Sequence, residues 1–323
     1  MQKKTAVVYH YFERDETYRD NLIFFLATAL SDAADYFLVI SGDCSVTLPE
    51  RANLRTLRMG NWNNDFGGYV TFVRESFPND YARFIFVNSS VRGPFLPAYG
   101  SRDWIEIFTA PLQGDVHLVG ASVNILPETV PLSVRFAEIY DDRPPHAHVQ
   151  TTAYALTRAA MDHLMAIGFY DIDETLPKDD VILHYELRLS REILRNGWNM
   201  SSILPVYGDL DYRSLACDFE NFSSKAGDVL YAGAFFGRTL SPVEAMFVKV
   251  NRNMIPPRDL ASYTFTSLSG RDLAAPGEGR DLLDRSYRRA KELTEAEPQE
   301  GARRSRLGRL VRKMFPAGRR PAS

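Results

Sequence analysis

The apolar positions in the first hundred residues fall into short runs separated by stretches of helical period. Residues 5–11 hold Val7, Val8 and Tyr9 in a β-rich run, which predicts a first strand. Residues 18–30 then place Leu22, Phe25, Leu26 and Leu30 at helical spacing. A continuous apolar run over 35–41 ("DYFLVIS") is closed by Gly42-Asp43, and residues 54–59 make a weaker third strand. A helix over 68–76 carries Tyr69, Phe72 and Val73 on one face, and 81–87 predicts the next strand. Strand–helix alternation of this kind predicts an α/β fold with a mostly parallel central sheet, covered by helices on both faces.

The second half alternates less regularly. Residues 116–123 ("VHLVGASV") read as a buried strand, and 149–154 as a strand feeding a helix over 157–165. A helix over 181–195 has Leu183, Leu187, Ser190, Ile193 and Leu194 as its inner stripe, and Gly197 ends it. Another helix is predicted over 242–251, with Ser241 as N-cap, Pro242 first and Glu244 third. No internal repeat is present. After residue 268 Gly, Pro and charge dominate, then a polar helical stretch follows. In the last segment Leu307, Leu310, Val311, Met314 and Phe315 share a helical face among arginines. The expected organisation is one domain over 1–268, a linker and polar helix over 269–302, and a basic amphipathic helical tail over 303–323. Such a tail suits an anionic membrane surface; a solvated tail is the alternative.

Composition narrows this picture. The chain has 323 residues, 45% hydrophobic and 24% charged, enough for one large α/β domain or two small ones. A net charge of −3 offers no bulk attraction for nucleic acid. Cys44 and Cys217 lie far apart and form no Cys-x-x-Cys pattern, which argues against a disulfide or a cysteine-built zinc site. The first residues lack the apolar core of a signal peptide, and no run approaches the roughly eighteen apolar residues of a membrane span. A cytoplasmic protein, with peripheral contact at the inner face of the plasma membrane, is the expectation.

Four places could carry chemistry. In "FIFVNSSVRGPFLP" (84–97) an apolar strand stops at Asn88-Ser89-Ser90, with a Gly93-Pro94 turn after it. α/β sheets place ligands at such strand ends. In "GNWNNDFGGY" (60–69), Gly67 and its neighbour Gly68 permit close backbone approach at a helix start. Asp65 there could hold a ribose or a base edge; a plain tight turn is the alternative. Glu186 falls between Leu183 and Leu187, close to a buried stripe, where partial burial would hold up the pKa of a general base. Solvated helix charge is the bland reading. His146-x-His148 could ligate a metal, but no acid stands beside it on the strand, so a loop or substrate contact fits better. The Asp-x-Asp patterns at 171–173 and 209–211 read as capping or loop acids. No Gly-x-Ser-x-Gly elbow, P-loop or Gly-x-Gly-x-x-Gly occurs, which weakens hydrolase, kinase and dehydrogenase readings. A methyltransferase would need a glycine loop where this chain has Tyr11-Phe12-Glu13.

Four blocks in order, "NWNNDFGGY", "FIFVNSSVRGPFLP", "HYELRLSREILRNGW" and "LSPVEAMFVKVNR", resemble the GT-A glycosyltransferases of bacterial polysaccharide assembly, nearest to the rhamnan-synthesis-F-type group. The resemblance spans roughly residues 5 to 255. It implies a GT-A-like domain and transfer of a hexosyl or deoxyhexosyl group from a nucleotide-diphosphate sugar to a glycan or lipid-linked acceptor, inverting at the anomeric carbon. It implies Glu186 as catalytic base. It places Asp43, Asp65, Gly67, Asn88, Ser89, Ser90, Arg92, Lys249 and Arg252 on the donor side, and His148 and Gln150 on the acceptor side. Ser89 stands where the family carries an acid of a cation-binding pair. The reading is therefore metal-free, with Arg92, Lys249 or Arg252 facing the diphosphate; a divalent Mg or Mn ion is the alternative. The rival function is a non-catalytic glycan- or nucleotide-binding protein.

Overall fold

Every residue from Thr5 to Tyr11 is buried, whichever face of the strand it occupies. A strand apolar on both faces must lie inside a sheet covered on both sides, and the computed structural model places it there. The structure describes residues 4–77, 80–100, 102–171, 173–215, 227–273 and 277–296. Its elements begin β1 (Lys4–Phe12), α1 (Glu16–Thr28), β2 (Asp35–Ser41), β3 (Leu54–Met59), α2 (Asn64–Ser76) and β4 (Tyr81–Asn88), in the expected order. Then come β5 (Val91–Arg92), α3 (Trp104–Thr109), β6 (Val116–Gly120), β7 (Val123–Leu126), α4 (Pro131–Tyr140), β8 (His146–Val149), β9 (Ala153–Thr157) and α5 (Arg158–Ala166). The chain continues with α6 (Lys178–Val181), a π-helical segment (Ile182–Leu187), α7 (Arg188–Arg195), β10 (Asn199–Ser202) and α8 (Pro205–Gly208). It ends with α9 (Pro242–Ala245), β11 (Val248–Lys249), α10 (Pro257–Leu268) and α11 (Glu278–Ala296).

Seven strands form the central sheet in the order β10-β6-β9-β4-β1-β2-β3. Only β9 runs antiparallel to its neighbours, so the sheet is mostly parallel and the fold is α/β, as the alternation predicts. The pleat sorts the core. Tyr9 and Tyr36 meet Phe25 of α1 on one face. Phe37, Phe86 and Tyr154 meet Phe72 and Tyr69 of α2 on the other. Phe86 and Tyr154 are directly opposite across β4–β9, and their rings stack at 5.0 Å.

Three expectations change. The run 116–123 is two strands: β6 ends at Gly120, and β7 leaves the sheet to pair with β8. A Cβ at Gly120 would lie 2.4 Å from Val149, so the chain can cross there only without a side chain. The run 149–154 likewise splits into β8 and β9 around Gln150–Thr152. The helix over 242–251 stops after one turn, although its capping box forms between Ser241 and Glu244. Met246 turns to a φ of 60°, Phe247 drops into the core against Trp104 and Phe108, and Val248–Lys249 pair with β5. Apolar periodicity alone could not distinguish this burial from a helical stripe. The polar helix expected within 269–302 is α11. α11 buries Leu282, Leu283 and Ser286, packs on α1 and α10, and is tied to α1 by Arg285–Asp20 at 2.6 Å and Arg19–Glu278 at 2.8 Å. The basic tail of 303–323 and Cys217 lie outside the described residues; Cys44 carries a free thiol.

Candidate active site

The alternation of β4 decides which polar residue at its end can reach a ligand. Phe84, Phe86 and Asn88 share the face toward α2, and Asn88 Nδ2 donates to Asp65 Oδ2 at 2.5 Å. Asn88 Oδ1 in turn accepts from the amide (3.0 Å) and hydroxyl (2.6 Å) of Ser90. Ser89 takes the opposite face. Its hydroxyl accepts from Phe12 N at 3.2 Å, its amide donates to His10 O, and its carbonyl accepts from Asn21. It fastens the ends of β1 and β4 together, on the face away from Asp65.

Asp65 comes from the first turn of α2, and two glycines set how close that turn lies. A Cβ on Gly67 would fall 2.0 Å from Trp62 O, and one on Gly68 2.3 Å from the His10 ring. Gly67 thus serves the packing of its own preceding loop. Asn63 holds that loop to the chain leading to α6, accepting from Leu176 N at 2.6 Å and donating to Glu174 O at 2.8 Å.

Glu186 lies in the π-helical segment. The sequence there buries alternate residues: Leu183 and Leu187 enter a small cluster with Leu126 and Phe136, while Tyr185 enters the main core and stacks on Phe66 at 4.7 Å. The helix widens to a π turn here, and π turns recur at functional sites. Between these anchors the Glu186 carboxylate is near enough for its charge to act on Asp65, His148 and Lys249. Asp65 is pushed up to about 6, first by burial and then by Glu186, against the Asn88 hydrogen bond and the Lys249 charge.

The third side is built by residues distant in sequence. Lys249 on β11 is pulled down by burial and by Arg252, with Glu186, Asp228 and Asp65 acting against this. Asp228 is buried; its Oδ1 accepts from Gln150 Nε2 at 2.7 Å and Leu230 N at 2.8 Å, and its Oδ2 pairs with Arg252. The Arg252 guanidinium lies 4.7 Å from the centre of the Tyr231 ring. His148 is buried, which lowers its pKa, and Nδ1 donates to His146 O at 3.2 Å.

The structure therefore brings together Asp65, Asn88, Ser90, Glu186, Lys249, Arg252, His148 and Gln150. Ser89, Gly67 and Arg92 lie outside this set, and Asp43 is exposed in the loop after β2. Arg92 is buried elsewhere, donating to Asn21 and Thr264. Asp173 pairs with Arg74 and Asp211 with Arg213, as loop acids do. Sequence reasoning missed Asp228 and Tyr231. The one signal was a lone acid inside an apolar run, "GDVLYAG".

At the strand end Asn88, Ser89 and Ser90 offer no carboxylate to a divalent cation. Among the described residues no three His, Cys, Asp or Glu side chains converge as ligands. The Ser89 hydroxyl is turned onto Phe12, and the Lys249 ammonium shares the neighbourhood of Asp65 and Glu186.

The raised pKa of Asp65 makes stability depend on pH. Its folded value exceeds its ordinary 3.8, so the stability contributed by the protonated form is full below pH ~4 and lost as pH rises through about 6. Asp65→Asn removes that loss. Asp65 as a whole residue is only half-buried, which tempers the gain to about 1–3 kcal/mol above pH ~7. Denaturant titrations should find the variant more stable at pH 8 and indistinguishable from the parent near pH 4. An equal offset at both would disprove the burial of charge.

The sequence matches no family model and no curated protein. Among solved structures, the chain is similar to the mannosyltransferase PcManGT from Pyrobaculum calidifontis, in complex with GDP-Man and Mn2+, over 98% of this chain and 82% of that one, at 10% identity and a TM-score of 0.38. It is also similar to the galactosyltransferase LgtC, in complex with donor and acceptor sugar analogs, over 55% of this chain and 69% of that one, at 11% identity and a TM-score of 0.30. At these scores neither assigns a substrate or a residue role to this chain.

Proposed function

We propose that this chain is a glycosyltransferase of the GT-A type, moving a sugar from a nucleotide-diphosphate sugar to an acceptor hydroxyl with inversion. One observation carries the reading: Asp65, Glu186 and Asp228 gather with Lys249 and Arg252 beyond the C-terminal end of β4, where a mostly parallel sheet offers a ligand crevice. In this reading Glu186 accepts the proton of the acceptor hydroxyl as that oxygen attacks the anomeric carbon. The glycosyl–oxygen bond to the diphosphate breaks on the opposite side, and the nucleoside diphosphate leaves with the bonding pair. Lys249 and Arg252 stabilise its growing charge. Asn88 and Asp65 orient the donor, while His148 and Gln150 border the acceptor. The acceptor is a growing glycan or a lipid-linked one, in bacterial polysaccharide assembly, and the basic segment 303–320 would hold the enzyme at an anionic membrane surface. No helix among the described residues is long and apolar enough to cross a membrane.

Calorimetry with uridine and guanosine diphosphates tests the donor side, followed by release of nucleoside diphosphate from a panel of nucleotide sugars. Lys249→Met should weaken diphosphate binding by about 10–100-fold, the loss of one charge-assisted contact. Unchanged affinity would remove Lys249 from the donor site. The turned-away Ser89 hydroxyl favours one second reading, a non-catalytic glycan binder. Glycan affinity with no nucleotide affinity would select it.

A further inference from the structure

A groove of about 590 Å³ runs between α1, α10 and α11, with Arg92 at its base. The β5–β11 ribbon separates it from the cleft. Val248 pairs with Arg92 and Lys249 with Val91, so the pleat turns Arg92 and Lys249 to opposite faces.

Arg92 is 5% exposed, and its counter-charge is incomplete. Nε donates to Asn21 Oδ1 at 2.9 Å and Nη1 to Thr264 Oγ1 at 3.1 Å, both neutral partners. Its carboxylate neighbour Asp20 stands 3.9 Å away and is already bonded by Arg285 at 2.6 Å. A buried guanidinium held this way is costly unless an anion joins it. Burial pushes Arg92 down to about 10, and Arg285 and Arg289 add to the fall while Asp20 opposes it. On α11, Arg285, Arg288 and Arg289 follow the i, i+3, i+4 spacing of one helical face and all line the groove. Neither Arg288 nor Arg289 forms an ion pair among the described residues. Glu16 and Glu292 also line it, so with Asp20 three carboxylates face four arginines, and positive charge is in excess.

We propose that this groove is a second anion site that takes a phosphate group, with Arg92 at its base and Arg288 and Arg289 closing on it from α11. Planar guanidinium forks match phosphate oxygens in pairs. Leu260 and Leu282 beside them give an apolar margin, so the phosphate can belong to a free phosphoester or to a phospholipid headgroup. The inference is independent of sugar transfer.

Full-length protein is heated with inorganic phosphate at constant ionic strength, as wild type, as Lys249→Met and as the double variant Arg288→Ala/Arg289→Ala. Both arginines are exposed, so the double variant keeps the parent Tm without phosphate. Phosphate at ten times its Kd should raise the Tm of wild type and of Lys249→Met alike by about 2–3 °C, and that of the double variant not at all. A wild-type shift in the double variant, or none in wild type, overturns the proposal. So does a shift that vanishes in Lys249→Met, because phosphate would then occupy the cleft. Cosedimentation with phosphatidic acid vesicles, set against phosphatidylcholine alone, identifies the source. Weaker cosedimentation of the double variant identifies a headgroup. Equal cosedimentation with a lost phosphate shift identifies a free phosphoester.

Discussion

Glu186→Gln should lower sugar transfer by about 10²–10⁴-fold, the usual contribution of a positioned general base. Glutamine keeps the shape of the side chain and its place in the π-helical segment, so the grip of Leu183, Tyr185 and Leu187 on the core is unchanged. Nucleoside diphosphate affinity should therefore stay within about twofold, and the whole loss should fall on turnover rather than on KM for the donor. A second signature separates a base from a structural carboxylate. Glu186 helps to raise Asp65, so the glutamine variant should lower the pKa of Asp65, readable as a shifted carboxyl resonance. Near-normal turnover would end the assignment of Glu186 as base and direct attention to Asp228.

Gly67→Ala should cost about 3 kcal/mol of stability, at the upper end for overpacking. The new methyl would meet the Trp62 carbonyl carbon and oxygen, which are backbone atoms unable to rotate away. Relief requires the loop before α2 to shift, and that loop carries Asn63 with its two bonds to residues 174–176. Asp65 would move with it, so donor binding should weaken too. Gly60→Ala is the control: a methyl there would have no neighbour within 4 Å and its φ is unstrained, so its cost should stay within about 0.5 kcal/mol. Equal urea midpoints for the two variants would show that the glycine is not a packing requirement.

The strand–helix alternation was legible through β4 because burial on both faces leaves continuous apolar runs, and those runs are local. The end of β4 was legible as a site for the same reason. The choice between Asn88 and Ser89 was not, because it depends on which face α2 covers. Arg92 shows the same limit: its charge is evident in the sequence, but only the pairing of β5 with β11 turns it from the cleft into a separate groove. The helix expected over 242–251 ends at Ala245, and Phe247 is buried against Trp104 and Phe108 instead of continuing a helical stripe.

By itself the order of apolar and polar residues determined the α/β class, the first four strands of the sheet and the candidacy of Asp65, Asn88 and Glu186. Tertiary structure decided that Asp228, Lys249 and Arg252 join them, and that Ser89 and Gly67 support the backbone. Periodicity records how deeply each residue is buried. Which distant residues share a cleft is settled by the crossing of strands and loops, and no local pattern carries that.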